Sequence, residues 1–493
     1  TWFLYVSWPP RCVSEPGIGD SNGLTSSGLI QTAAGNTVTI GRGARVEPWF
    51  EDHRSLTKGS SVQVDNIFID TGGGHINGEF INSRGGLTIV YTVSKTSGNS
   101  RYVISYHREN DVADILPLVR CDNARQLLAA FDDLYSVAND DLIKMVIASS
   151  DHSQDIGDLN RRAAWVGLTL TPQAYTKLTH TQHRVMDVAQ RDFNRQIKSL
   201  SGSSNRAPSA GEASSVQLWV NPLYQKSNRF CNLCYEFDSP KEELKGAAFG
   251  LGRDFGQLSL GLAFNLIDGQ YDSAYSDIDT KNFTLTAGGR LHGLTSGKGW
   301  FKPWLSFDAG FGRGNITQHL LNFKGNKSRF STSRATMFRG GLEAGNDFYL
   351  GERFIVSPSL GLEYTTVRQS GYDEEDHIDN LGLKVRANRY ESLRPKAGVE
   401  FQWLANDNLR LNLSGQYRYE TMDRNSSFNY NRVTAPSLVL TAEGEDRGRE
   451  SGAVGLNLEY SFHDKLSFSA GADFLMEKAY SATAFNAGLA YRF

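Results

Sequence analysis

From Val216 to Phe493 the chain repeats one pattern: short runs with apolar side chains at every second position and polar or small ones between them. Side chains of a strand point alternately to opposite faces, so each run reads as one strand with an apolar and a polar face. In the last run, Thr483, Phe485, Ala487, Leu489, Tyr491 and Phe493 share one face. Ala482, Ala484, Asn486, Gly488, Ala490 and Arg492 share the other. Similar runs cover residues 216–224, 247–251, 258–266, 283–291, 301–311, 338–344, 354–364, 393–403, 409–419, 454–462 and 466–474. With the last one, that makes about twelve predicted strands.

A single run of this kind suits a soluble sandwich better than a membrane strand. Repetition and the chemistry of the polar face change the picture. Between Leu409 and Tyr419 that face carries Arg410, Asn412, Ser414, Gln416 and Arg418; in the run before it, Arg394, Lys396, Glu400 and Gln402. A succession of strands that is apolar on one side and charged on the other fits an outer-membrane barrel, with lipid outside and a polar lumen. No run of 18 or more apolar residues occurs, which excludes an ordinary transmembrane helix but not a barrel, whose strands need about 9–11 residues. Short joints at 253–256 and 463–464 alternate with long polar ones at 315–333 and 368–388, as when tight turns face the periplasm and loops face outward. An even strand count puts both barrel ends on the periplasmic side.

Ahead of the strands the period changes. Leu127, Leu128, Phe131, Leu134 and Tyr135, then Leu142, Met145 and Val146, recur at three and four, predicting amphipathic helices. A longer helix is expected from Pro172 to Leu200, with Thr171 as its cap. Its apolar stripe, Ala174, Leu178, Val185, Val188, Phe193, Ile197 and Leu200, is narrow. Arg184, Asp187, Arg191, Asp192, Arg195 and Lys198 leave most of its circumference polar, which suits a wet cavity. About 29 residues at about 1.5 Å each reach roughly 44 Å, enough to cross a barrel whose apolar band is about 25 Å tall. Residues 23–93 hold short β-like runs split by Gly, Ser, Asn and Thr, read as the end of a β-solenoid rather than an ordinary sheet.

The expected fold class is therefore all-β dominated: a 12-stranded antiparallel transmembrane β-barrel with a central pore helix, preceded by a short helical region and a solenoid-like fragment. Expected boundaries are 1–105 for the β-rich fragment, 106–171 for the helical linker, 172–203 for the pore helix and 215–493 for the barrel.

Composition narrows the chemistry. The net charge of −3 gives no global field for recruiting nucleic acid. Of the four cysteines, only Cys231 and Cys234 are close; without a second pair, nearby histidines or a βαβ context they read as a small disulfide-closed loop or two free thiols. Gly19-Asp20-Ser21 resembles the serine block of GDSL-type esterases, but no apolar strand leads into it and no Asp-x-x-His follows; it reads as a turn. His180 and His183 lack a third metal ligand, and no phosphate-binding G-x-x-x-x-G-K-[ST] occurs. No catalytic, metal or cofactor site is expected. The opening T-W-F-L-Y-V-S-W-P-P lacks the features of a signal peptide, so the reading expects the export signal, and further chain, to precede Thr1.

From about Asn123 to Phe493 these features resemble the monomeric type V (type Va) autotransporters. The resemblance rests on R-F-I-V-S-P-S-L-G-L-E-Y-T-T-V with its Pro358, on the helical approach into T-P-Q-A-Y, and on the terminal N-A-G-L-A-Y-R-F. It implies a translocator in the bacterial outer membrane that exports and displays its own N-terminal passenger at the cell surface, as an adhesin. A porin-like channel and a passenger hydrolase are the alternatives. Asn486, Gly488, Tyr491 and Phe493 match the family's outer-membrane insertion signal. The implied partners are outer-membrane lipid, the barrel assembly machinery, periplasmic chaperones and an unknown extracellular target; the chain is expected to be a monomer. The pore helix lacks the paired Asn of self-cleaving members and offers only Asp192-Phe193-Asn194-Arg195, so the passenger is expected to stay attached.

Overall fold

The computed structural model describes residues 4–8, 11–13, 30–31, 35–40, 47–48, 64–80, 84–85, 87–96, 98–120, 122–130, 153, 155–170, 173–202, 216–229, 241–273, 276–292, 301–320, 329–376, 382–422, 427–433, 435–443, 448–463, 465–478 and 480–493. The chain divides into two compact units, residues 1–171 with 434–438, and 172–433 with 439–493.

In the first unit, Val64–Asp70, Arg101–Arg108 and Ile89–Lys95 pair antiparallel. A turn through Gly98 and Asn99, both at positive φ, joins the last two in space. Their inward residues Ile69, Tyr91, Val93, Tyr102 and Ile104 form the core with Ile76 and Ile89. Among the described residues, the parallel stacking expected of a solenoid is found in two short pairs, Ile30–Gln31 on Ile69–Asp70 and Val38–Thr39 on Ile76–Asn77. Helices follow at Asp122–Ala129 and Ile156–Leu170. The second lies in the stretch 106–171 expected as a helical linker, on the approach into T-P-Q-A-Y, although none of the apolar periods read from the sequence falls on it. Asp155 Oδ1 caps it by accepting from the Asp158 N–H at 2.7 Å, and Leu159 and Ala163, four apart, are buried. Phe131, Leu134, Tyr135 and the helix expected near Leu142 lie outside the described residues.

The second unit is the barrel. Its twelve strands are β1 (Val216–Arg229), β2 (Lys241–Asp254), β3 (Leu258–Asp272), β4 (Ser276–Leu291), β5 (Phe301–Leu320), β6 (Arg329–Leu350), β7 (Phe354–Gln369), β8 (Asn388–Leu404), β9 (Leu409–Tyr419), β10 (Glu450–His463), β11 (Leu466–Glu477) and β12 (Tyr480–Arg492). Each pairs antiparallel with the next, and β1 pairs with β12, so the sheet closes on itself. Closure leaves no sheet edge for lipid to meet, as a membrane span requires.

The outward face records where hydrocarbon ends. Along β3, Leu260, Leu262, Phe264 and Leu266 face outward and exposed, then Asp268, Gln270 and Asp272 continue on the same face. The charged part stands beyond the lipid belt. This corrects the loop expected at 315–333: β5 runs on to Leu320 and β6 starts at Arg329, because a strand outside the belt needs no apolar outer face. At the opposite end the turns are tight, with Gly256 and Gly351 at positive φ, +88° and +76°. Aromatic pairs ring that end: Phe301 with Phe348 at 6.0 Å, Phe354 with Trp403 at 6.4 Å and Tyr491 with Phe493 at 4.8 Å. Such belts mark a membrane interface.

The joint expected at 368–388 also contains structure. Tyr372–Asp373, Leu383–Val385, Ser427–Arg432 and residues 439–443 of Ala435–Glu443 form a small sheet. Its Tyr372, Leu383, Val385, Phe428 and Tyr430 join Ile278, Ile316 and Val367 of the barrel wall in one buried cluster. Arg329 pairs with Glu374 inside it. This end of the lumen is capped by protein.

Candidate functional site

The lumen is occupied by the pore helix, Gln173–Gly202, 30 residues long. Its N-terminal part lies toward the capped end, where Thr179 meets Gln369. Its C-terminal part lies toward the tight turns, where Leu200 approaches Gly252. From Thr179 to Leu200 every side chain is buried or half-buried.

The narrow apolar stripe has a matching strip on the wall. Val185, Val188 and Ala189 pack with Leu223, Leu244, Ala248 and Ile267, and Phe193 and Ile197 with Trp219, Ala263 and Ala490. The helix therefore leans on β1–β3 instead of standing free. Gly261 makes this possible, because a Cβ there would collide with the Ile197 side chain. Instead of the wet cavity expected, much of the polar face is held by side chains of the wall.

Each charged helix residue singled out from the sequence meets a polar partner on a strand. Arg184 donates to Glu242 at 2.9 Å, lies 3.7 Å from Glu477, and sits 3.5 Å over the Tyr480 ring. Arg191 donates to Gln225 at 2.8 Å and Asp192 accepts from Asn221 at 2.7 Å. Arg195 donates to Asn486 at 2.9 Å and pairs closely with Asp473. Lys198 pairs with Glu400 at 2.5 Å. Asp187 pairs closely with Arg339 and accepts from Arg394 at 3.0 Å.

Asp187 belongs to a buried ionic lattice. Its other anion is Glu363, which lies 2.9 Å from both Arg339 and Lys396, 3.5 Å from Arg394 and 3.7 Å from Arg418. Lys396 also reaches Glu343 at 2.8 Å. Anions shared among several cations keep each buried charge compensated, which isolated buried charges are not. Arg394, Lys396 and Arg418 were visible as polar-face residues; Glu363 was missed, although its place between the outward Leu362 and Tyr364 marks it as lumen-facing.

The terminal strand divides its roles by face. Tyr491 and Phe493 are exposed on the outside. Asn486 is buried in the lumen against Arg195, and a Cβ at Gly488 would collide with the Asn221 side chain that holds Asp192. His180 and His183 face the Tyr390 ring, at 5.4 and 6.0 Å between centroids. Cys231 and Cys234 lie outside the described residues.

Comparison with known proteins agrees with this geometry. No curated protein sequence matches the chain. Among solved structures, the translocator domain of autotransporter NalP from Neisseria meningitidis matches at 15% identity and a TM-score of 0.50, over 66% of this chain and 100% of that one. The beta domain of the Bordetella autotransporter BrkA matches at 16% identity and a TM-score of 0.39, over 57% of this chain and 100% of that one. The transport unit of AIDA-I from Escherichia coli matches at 11% and 0.38, over 59% and 98%. The family model described as the autotransporter beta-domain matches residues 218–473. With that match spanning more than half of the sequence and a closed barrel threaded by a helix, the chain belongs to the autotransporter beta-domain family, the outer-membrane translocators.

Proposed function

We propose that this translocator exports its own N-terminal segment and displays it, still attached, at the cell surface as an adhesin-type contact. The observation that carries the reading is the pore helix, whose N-terminal part points to the lumen end opposite Val216 and Phe493. A chain leaving the helix at that end has been led across the membrane. The ion pairs from Arg184 to Lys198 would then anchor the displayed segment. We further propose that the barrel assembly machinery reads Tyr491 and Phe493 on the outer face of β12, with periplasmic chaperones delivering the unfolded chain.

Protease added to intact cells tests the reading. Residues ahead of the helix should be removed while the barrel and helix stay protected; protection of those residues until the cells are lysed contradicts display. A porin-like channel is the second reading, favoured by one observation. The helix leans on β1–β3, and Gln402, Asn412, Ser414 and Gln416 on the opposite wall keep partial exposure. Steady conductance in planar bilayers together with protected N-terminal residues would favour the channel.

A further inference from the structure

The barrel closes where its first and last strands meet, and the ladder there is incomplete. β1 and β12 pair from Gln217 with Arg492 to Val220 with Leu489, and from Leu223 with Asn486 to Arg229 with Tyr480. The register is unshifted across both stretches. Between them, Asn221 with Gly488 and Pro222 with Ala487 are unpaired. Pro222 has no N–H to give, and its side chain faces outward into the lipid belt. Lipid offers no replacement donor, so a gap here weakens the closure more than it would in water.

A second gap allows a comparison. The β6–β7 ladder skips Asn346 and Asp347 opposite Ser357 and Pro358. There the wall bridges itself: Ser357 donates to Asp347 across the gap at 2.7 Å, and Trp304 donates to the same carboxylate at 2.9 Å. At the β1–β12 gap the bonds go to the helix instead. Asn221 donates to Asp192, and Asn486 accepts from Arg195. Side-chain bonds directly between the two strands lie toward their ends, Gln225 to Tyr480 at 3.0 Å and Arg492 to Gln217 at 3.1 Å.

The helix also grips both sides of the closure. Arg184 alone spans it, bonded to Glu242 of β2 and stacked over Tyr480 of β12, with Glu477 of β11 nearby. Asp192 holds β1, while Arg195 holds β12 through Asn486 and β11 through Asp473. We propose that the pore helix is the clasp of the barrel seam: Arg184, Asp192 and Arg195 are positioning residues that hold β12 against β1 across the break at Pro222, and without them the seam parts first. Gly488 then has a structural duty, to leave room for the Asn221 side chain at the break.

The test is a coupling experiment on the full chain in lipid vesicles, read as the rate at which the heat-resistant compact form unfolds. Combining Arg184→Ala, Asp192→Ala and Arg195→Ala removes several charge-assisted bonds and should speed unfolding about tenfold or more. Lys198→Ala, which frees only Glu400 on β8 away from the seam, should have a smaller effect. Pro222→Ala restores a donor to the seam and should recover a large part of the loss in the triple variant. Pro358→Ala, at the self-bridged gap, should recover none. If the triple variant does not insert, Arg184→Ala with and without Pro222→Ala carries the same test. Additive effects of the helix and Pro222 substitutions, or equal recovery by Pro358→Ala, would overturn the proposal.

Discussion

Leu456 and Asn457 are consecutive residues of β10, yet they obey different rules. Leu456 is 54% exposed on the outside, while Asn457 faces the lumen beside Gly471. Outside, an apolar side chain is exposed because its solvent is hydrocarbon. Inside, charges are buried because their solvent is other protein charge: Lys396 lies 2.9 Å from Glu363 with both side chains almost fully covered. In the N-terminal unit Arg101 lies 3.0 Å from Asp70, a pair of nearly the same length, but the Arg101 side chain is 48% exposed. The difference teaches that neither exposure nor pair distance has a fixed energetic meaning. What surrounds the group decides.

Substitutions can break or sharpen that contrast, and the largest effect is expected in the lumen. Glu363→Ala leaves the buried cations Arg339, Lys396, Arg394 and Arg418 short of one of their shared anions, with Asp187 and Glu343 remaining, and should destabilise the barrel by about 3–5 kcal/mol in denaturant titrations in vesicles. Leu456→Arg should follow at about 2–4 kcal/mol if its site is near mid-membrane, whereas Asn457→Arg, one residue along, should stay within about 1 kcal/mol. Equal losses at the two positions would erase the distinction between faces. At the interface, Trp403→Ala removes a ring stacked on Phe354 at 6.4 Å and 9°, and should lose about 0.5–1.5 kcal/mol by the same titration. Smallest of all, Asp70→Ala should change the stability of the N-terminal unit by no more than about 1 kcal/mol, and raised salt should shrink even that.

Alternation made the strands legible, because lipid and lumen demand opposite chemistries of adjacent residues. Leu260 to Leu266 could be read as β3 for that reason. Its outer extension could not, since the polarity inverts once the strand leaves the belt: Asp268, Gln270 and Asp272 face outward while Ile267 and Tyr271 point inward and are buried. The cap was hidden differently. Leu383–Val385 and Ser427–Arg432 are short strands in polar surroundings, and Phe428 and Tyr430 become core residues only when distant segments meet.

The charges of the pore helix were equally visible, but their partners were not. Arg195 lies 291 positions from Asn486 in the chain, and which strand residue faces which helix residue depends on register around the whole barrel. Helix-period reasoning also favoured a wet lumen, since a polar surface suits water as well as ionic partners. The matching strip of Leu223, Leu244 and Ile267 on β1–β3, and the compensating charges elsewhere on the wall, decide for close packing.

The most direct test of the two-faced wall is a nitroxide scan of β10 from Gly452 to Tyr460, one cysteine-labelled residue at a time, in lipid vesicles. Oxygen, which concentrates in hydrocarbon, should reach the label with a period of two and peak at Val454 and Leu456, with minima at Ala453, Gly455 and Asn457. A flat profile, or peaks at Asn457 and Glu459, would contradict the assignment of outside and lumen.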